Sequence, residues 1–254
     1  MPCGTVGRAA TTIYALARSG DRPQHSLNEI CGRPRALCAN SEYDSQEGHI
    51  ALPWCQCSGA YGNKGKAVSS RDRIRRQQIL REAEGYLDLA MMFNEAWMLE
   101  PGRRHALAAR SLSALDRLNA TAAEEAEALL LRGQALRAMD RFREALLPLQ
   151  LANQLDPKKL DIYLALAWCY KRTDQLKKAI EALEEALGVE PSAAILHYNL
   201  ACYWSLAKNK RKAIGYLSQA LTLDENYRHL IDSEPDFDPI RDDPRFRALT
   251  TVIV

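Results

Sequence analysis

Three alanines, Ala145, Ala179 and Ala213, stand 34 residues apart, and Ala152, Ala186 and Ala220 repeat the same step. Leu149, Leu183 and Leu217 keep it too, as do Leu136, Tyr170 and Trp204, and Leu155, Val189 and Leu223. A period of this length, with small residues at fixed offsets, is that of a helical hairpin repeated along the chain. The small positions let paired helices approach closely, and a large residue there would hold them apart. One such hairpin leaves an apolar face uncovered, so it is stable only when stacked on its neighbours. The sequence therefore predicts an all-α stack of antiparallel helix pairs over 70–230, with no sheet and with a groove that suits another chain.

The register divides the chain. Three repeats fall at 126–159, 160–193 and 194–227, with Gly133, Ala167 and Ala201 where two helices must come close. Asp140 and Asp174 mark the turns within repeats. Asp156-Pro157 and Glu190-Pro191 mark the turns between them, where proline is tolerated because the helix has ended. Ahead of the repeats, residues 69–125 read as a helical pair packing on them. Ser69 or Ser70 caps a long first helix to about Leu99, stopped by Pro101 and Gly102, and a second helix spans roughly 103–118. Its predecessor's apolar set, from Ile79 through Leu87 to Phe93 and Trp97, is broad enough to need burial on more than one side. Thr121 and Glu124 have capping-box spacing. Residues 228–254 are expected to cap the last hairpin, with Phe237 and Phe246 turned inward and the aspartates between them facing water.

Residues 1–68 follow other rules. They hold five of the seven cysteines and show no sustained helical or strand period. Cys31, Cys38, Cys55 and Cys57 could be read as a zinc set, but neither half has the gap of a usual knuckle, and one residue alone separates Cys55 from Cys57. The odd cysteine count does not suit a disulfide framework. The segment is expected to be a disordered leader, or a spurious extension upstream of a GTG start translated as Val68. The apolar stretch from Ala9 to Ala17 is too short for a secretory signal, and no apolar run is long enough for a membrane span, so a cytoplasmic protein is expected. Net charge is +2, and charges outside the leader balance, which gives no steering toward nucleic acid.

These motifs resemble the tetratricopeptide repeat family. Residues 160–193 carry nearly its whole pattern in Tyr163, Leu166, Ala167, Tyr170, Ala179, Leu183, Ala186 and Pro191. The third repeat follows with Leu200, Ala201, Trp204, Ala213, Leu217 and Ala220, departing at Glu225, and the first has Arg132 in place of the first-helix leucine. The looser pattern of 70–254, including the string Glu234-Pro235-Asp236-Phe237-Asp238-Pro239-Ile240, is similar to small bacterial repeat proteins, with planctomycetes a candidate source. The resemblance implies a right-handed superhelix with a C-terminal capping segment, whose concave face is lined by the first helix of each pair and binds a protein or peptide.

Carried onto this chain, the groove positions hold Gln134 and Arg137, then Leu164, Trp168, Lys171 and Arg172, then Tyr198, Asn199 and Cys202. Trp168 beside two cations has the composition of a binding hot spot, or it packs against a neighbouring repeat. Asn199 either bonds a partner's backbone or bonds within the stack. A carboxylate clamp of the kind some members use is not expected, since its positions hold Leu130, Gln134, Ala165 and Ile195. No HExxH, phosphate loop or nucleophile elbow is present, so neither enzyme activity nor a cofactor is expected. The acidic tail lacks the glycine and terminal glutamate of a calcium loop, so no metal is expected there. The alternative to a binding scaffold is an assembly subunit that self-associates as a homo-oligomer through its N-terminal helix or a repeat end.

Overall fold

The computed structural model describes residues 69–92 and 100–251. The leader expectations, the four-cysteine zinc set and the apolar residues Phe93 and Trp97 lie outside the described residues. Within that range, eight helices form the body: α1 (Ser70–Met92), α2 (Pro101–Asp116), α3 (Ala122–Ala138), α4 (Phe142–Leu155), α5 (Leu160–Arg172), α6 (Leu176–Val189), α7 (Ala194–Leu206) and α8 (Lys210–Leu223). A 3-10 turn at Glu225–Tyr227 runs into α9 (Arg228–Ile231). A second 3-10 stretch, Pro235–Ile240, and α10 (Pro244–Thr250) follow. Among the described residues there is no strand.

Helices pair in sequence order, α1 with α2 through α7 with α8, and the second helix of each pair packs on the first helix of the next. The N-terminal pair is thus a further hairpin in the same stack. Its start is set locally: Ser69 Oγ accepts the Asp72 amide at 3.2 Å. Pro101 opens α2 as its first residue, where a missing N–H costs nothing, so this helix starts two residues ahead of the expected 103. Glu124 reaches back to the Thr121 amide at 3.0 Å and fixes the start of α3 at Ala122, ahead of the repeat frame.

All nine residues of the two alanine columns and the first leucine column are fully buried. Leu155, Val189 and Leu223 are instead exposed at the ends of the second helices. The column Leu136, Tyr170, Trp204 has a different cause. Each offers its carbonyl to an amide five residues on, from Arg141, Gln175 and Asn209, at 2.9 Å in all three turns. Between them Asp140, Asp174 and Lys208 take φ of 59°, 60° and 60°. That is the Schellman ending, which ties up loose helix carbonyls by one left-handed residue. The same 34-residue register therefore writes both the packing and the turns.

Gly133 marks a close contact between α3 and α4. A Cβ built there would lie 2.4 Å from Leu149 Cγ, a buried branch atom that cannot swing away. Gly215, inside α8, would meet nothing within 4 Å. Gly133→Ala is expected to destabilise the protein by about 1–3 kcal/mol. Gly215→Ala should stabilise it by about 0.5–1 kcal/mol, because alanine loses less entropy in a helix. Opposite shifts of the urea midpoint are the expected outcome, and shifts of the same sign would show that the register of the first repeat is wrong.

Candidate functional site

The positions expected to line a groove are far from equally open. On α3, Gln134 is fully buried, and Arg137 is half-buried with its guanidinium donating to Met91 Sδ of α1 at 3.3 Å. On α5, Leu164 is buried, Trp168 is half-buried and Arg172 is exposed, with its guanidinium 4.8 Å from the Phe142 ring centroid. On α7, Tyr198 and Cys202 are buried, and Asn199 Nδ2 donates to the Ile195 carbonyl of its own helix at 2.9 Å. Lys171 and Arg172 occupy the last turn of α5, where the helix dipole favours cations.

What buries the α7 positions is the chain's own C-terminal segment. Residues 235–240 pack on α7. Phe237, fully buried, stands edge-on to Tyr198 with ring centroids 5.6 Å apart and planes at 85°, and Tyr227 and Phe246 close round the pair. Asp236 reaches across to α5 and pairs with Lys171. The Lys171 ammonium also lies 5.4 Å from the Trp168 ring centroid and 5.5 Å from that of Tyr203, so two aromatic faces and one carboxylate surround it.

Two cap-and-proline starts shape this segment. Glu234 accepts the Asp236 amide at 3.2 Å ahead of Pro235, and Asp243 accepts the Arg245 amide at 3.0 Å ahead of Pro244. Arg241 then pins the loop from inside, donating to the Ile231 and Glu234 carbonyls at 3.2 and 2.7 Å. Phe237 and Phe246 do turn inward, but the acids before and between them divide. Asp238 and Asp242 face water, whereas Glu234, Asp236 and Asp243 are buried. The capping bonds draw two of these acids in, and Lys171 draws in the third. Sequence reasoning missed that Glu234, Asp236 and Phe237 pack on α5 and α7, because no repeat spacing links them to Lys171 and Tyr198.

The electrostatics follow from this burial. Burial first, and then the charge of Asp236, push the Glu234 carboxyl up to about 7, against Lys171 and Arg241. Burial, with Glu234 and Asp236 behind it, pushes the Cys202 thiol well up, and burial pushes Cys169 up to about 11. Neither thiol is a ready nucleophile. Because the folded value of Glu234 exceeds its ordinary one, its contribution to stability is full below about pH 4.5 and is lost as pH rises through about 7. Glu234→Gln should therefore gain roughly 2 kcal/mol over the wild type between about pH 5 and pH 8, read as the change in their stability difference by urea titration. A difference that stays constant with pH would contradict the burial of this carboxyl.

Elsewhere on the surface, Leu147, Leu151 and Leu155 form an exposed stripe at four-residue spacing on α4, while on α1 Ile74 and Leu89 are exposed singly. Among the described residues no three His, Cys, Asp or Glu side chains gather into a metal-binding cluster, and no helix is long and apolar enough to cross a membrane.

Residues 129–201 match a family model described as tetratricopeptide repeat. These residues form a tetratricopeptide repeat region. Among solved structures of similar fold is a MamA protein, the RS-1 ArsTM double mutant, 17% identical with a TM-score of 0.52, the match covering 72% of this chain and 90% of that one. Another is MamA from residue 41 to the end, from Desulfovibrio magneticus RS-1, 15% identical with a TM-score of 0.48, covering 72% and 91%. A third is TTC0263, a thermophilic TPR protein of Thermus thermophilus, 21% identical with a TM-score of 0.46, covering 65% and 85%. At such identities the first of these supports the tetratricopeptide fold alone. No curated protein matches the chain.

Proposed function

We propose that this chain, a tetratricopeptide scaffold of the general protein-binding kind, holds a segment of a partner protein across the first helices of its repeats and does no chemistry itself. The observation that carries this reading is the chain's own segment on that face, held by a carboxylate on Lys171 and a phenyl ring on Tyr198. A surface that seats one short segment in this way has what peptide recognition needs: an aromatic anchor, a cation and walls that exclude water. Half-buried Arg137 and Trp168 and exposed Arg172 extend the same face toward α3 and are the residues offered to a partner. Gln134, Leu164, Asn199 and Cys202 shape the floor beneath. A near-neutral chain gives no reason to prefer nucleic acid or an anionic membrane over a protein, and a cytoplasmic setting suits the two free thiols among the described residues.

The test is affinity capture from the native cell with the full chain as bait, beside Trp168→Ala/Arg172→Glu and the surface control Lys177→Ala. A protein held by wild type and control and lost from the double variant is the expected result. Identical capture by all three would contradict binding on this face. Self-association has one feature in its favour, the leucine stripe on α4. If that stripe is a contact, Leu151→Ser should turn an oligomer into a monomer in sedimentation velocity.

A further inference from the structure

Resting on that reading, we propose that the face formed by α5 and α7 is a recognition site for an acidic–aromatic peptide, an aspartate followed by a phenylalanine, and that Glu234–Phe237 holds it closed as an internal ligand that a partner displaces.

The chemistry of the occupant defines the chemistry of the site. Lys171, with a side chain only 9% exposed, offers a single ammonium between the Trp168 and Tyr203 rings. One carboxylate can satisfy it. Beside it, the Tyr198 ring and its neighbours make a slot that takes a phenyl edge-on. Adjacent residues of an extended strand point to opposite sides, but the 3-10 stretch at 235–240 lets Asp236 and Phe237 reach these two pockets in succession. A partner segment therefore needs the same pair and a tight turn there.

The internal ligand fits the site imperfectly. Two carboxylates, Glu234 and Asp236, are buried against one ammonium, with Arg241 the other cation turned toward Glu234. Glu234 Oε2 has no hydrogen-bond partner, nor do Tyr198 Oη and Ser205 Oγ on the α7 side. Buried polar atoms left unpaired weaken the contact that buries them. A peptide with the Asp-Phe pair but no acid two positions earlier would bury one charge fewer and compete on better terms. The cover is also built from short turns rather than from a full hairpin, so it can open without unfolding the stack.

The test uses the wild-type chain. Cys202 lies under the cover, near Glu234 and Asp236, whereas Cys169 is buried in the core shared by α3, α4 and α5. Pulsed alkylation, resolved residue by residue by mass spectrometry, compares their labelling. If the cover opens by itself, Cys202 is alkylated at least tenfold faster than Cys169. A synthetic peptide spanning 232–247 with Glu234→Gln should slow Cys202 labelling at least fivefold, and the same peptide with Phe237→Ala should not. Equal labelling of the two thiols would mean that the cover leaves only with global unfolding, and the proposal fails. Indifference to the peptide, or equal protection by both peptides, also overturns it. A concentration-dependent dimer that the peptide dissociates would assign the occupant to the tail of a second copy and overturn the partner reading. None of these failures touches the capture result at Trp168 and Arg172, so the broader function stands or falls separately.

Discussion

Lys171→Met is expected to destabilise the protein by about 3–5 kcal/mol, the range for removing one partner of a buried ion pair. The ammonium stands against Asp236, and both side chains are nearly closed to solvent. Methionine keeps the stem's packing but leaves Asp236 and Glu234 together in a low-dielectric pocket without Lys171. The loss should shrink at low pH, where protonation of Glu234 relieves part of it. Lys177, which pairs with Glu181 at 3.7 Å on an open helix face, supplies the contrast: Lys177→Met should change stability by less than about 1 kcal/mol. Urea titrations of the two variants decide the matter. Similar small losses at both sites would mean that the Lys171–Asp236 pair is solvated and that the C-terminal segment does not close over it.

Phe237→Ala should cost about 3–5 kcal/mol, since the ring is fully buried between Tyr198 and Phe246 and its removal leaves a cavity beside both rings. The effect should also be local. In a stack whose hairpins touch only their neighbours, damage at one end spreads weakly to the other. Amide exchange is expected to rise in α7, α8 and the covering segment, and to stay near wild-type rates in α1 and α2. Uniform acceleration would show that the stack unfolds as one unit despite its three separate apolar clusters.

The stack was legible because its cause is local and periodic. The alanine and leucine columns report contacts within one hairpin, and each recurs often enough to be read without coordinates. The turn register was half legible: Asp140 and Asp174 announce a left-handed residue, but Lys208 in the same place does not. Pro148, inside α4, gave no warning either, since a proline there removes a helix hydrogen bond yet the buried packing of the hairpin holds the helix together. Among the candidate site residues, Trp168, Arg172 and Arg137 lie at least partly open. Tyr198, Cys202 and Lys171 are closed, and the reason is a pairing with no period. Asp236 meets Lys171 across 65 residues of sequence, and nothing in the spacing of either announces the other. An acidic, proline-broken tail reads as solvated until the buried ammonium that it answers is known.

The most direct measurement is the nuclear Overhauser contact between Phe237 and Tyr198 in the full chain. The chain has only four phenylalanines, so selective labelling isolates the ring. With the rings edge-on at 5.6 Å between centroids, cross-peaks between their protons and strongly shifted Phe237 resonances are expected. A Phe237 ring at random-coil shifts, with no contact to Tyr198, would contradict a binding face occupied by the chain's own C-terminal segment.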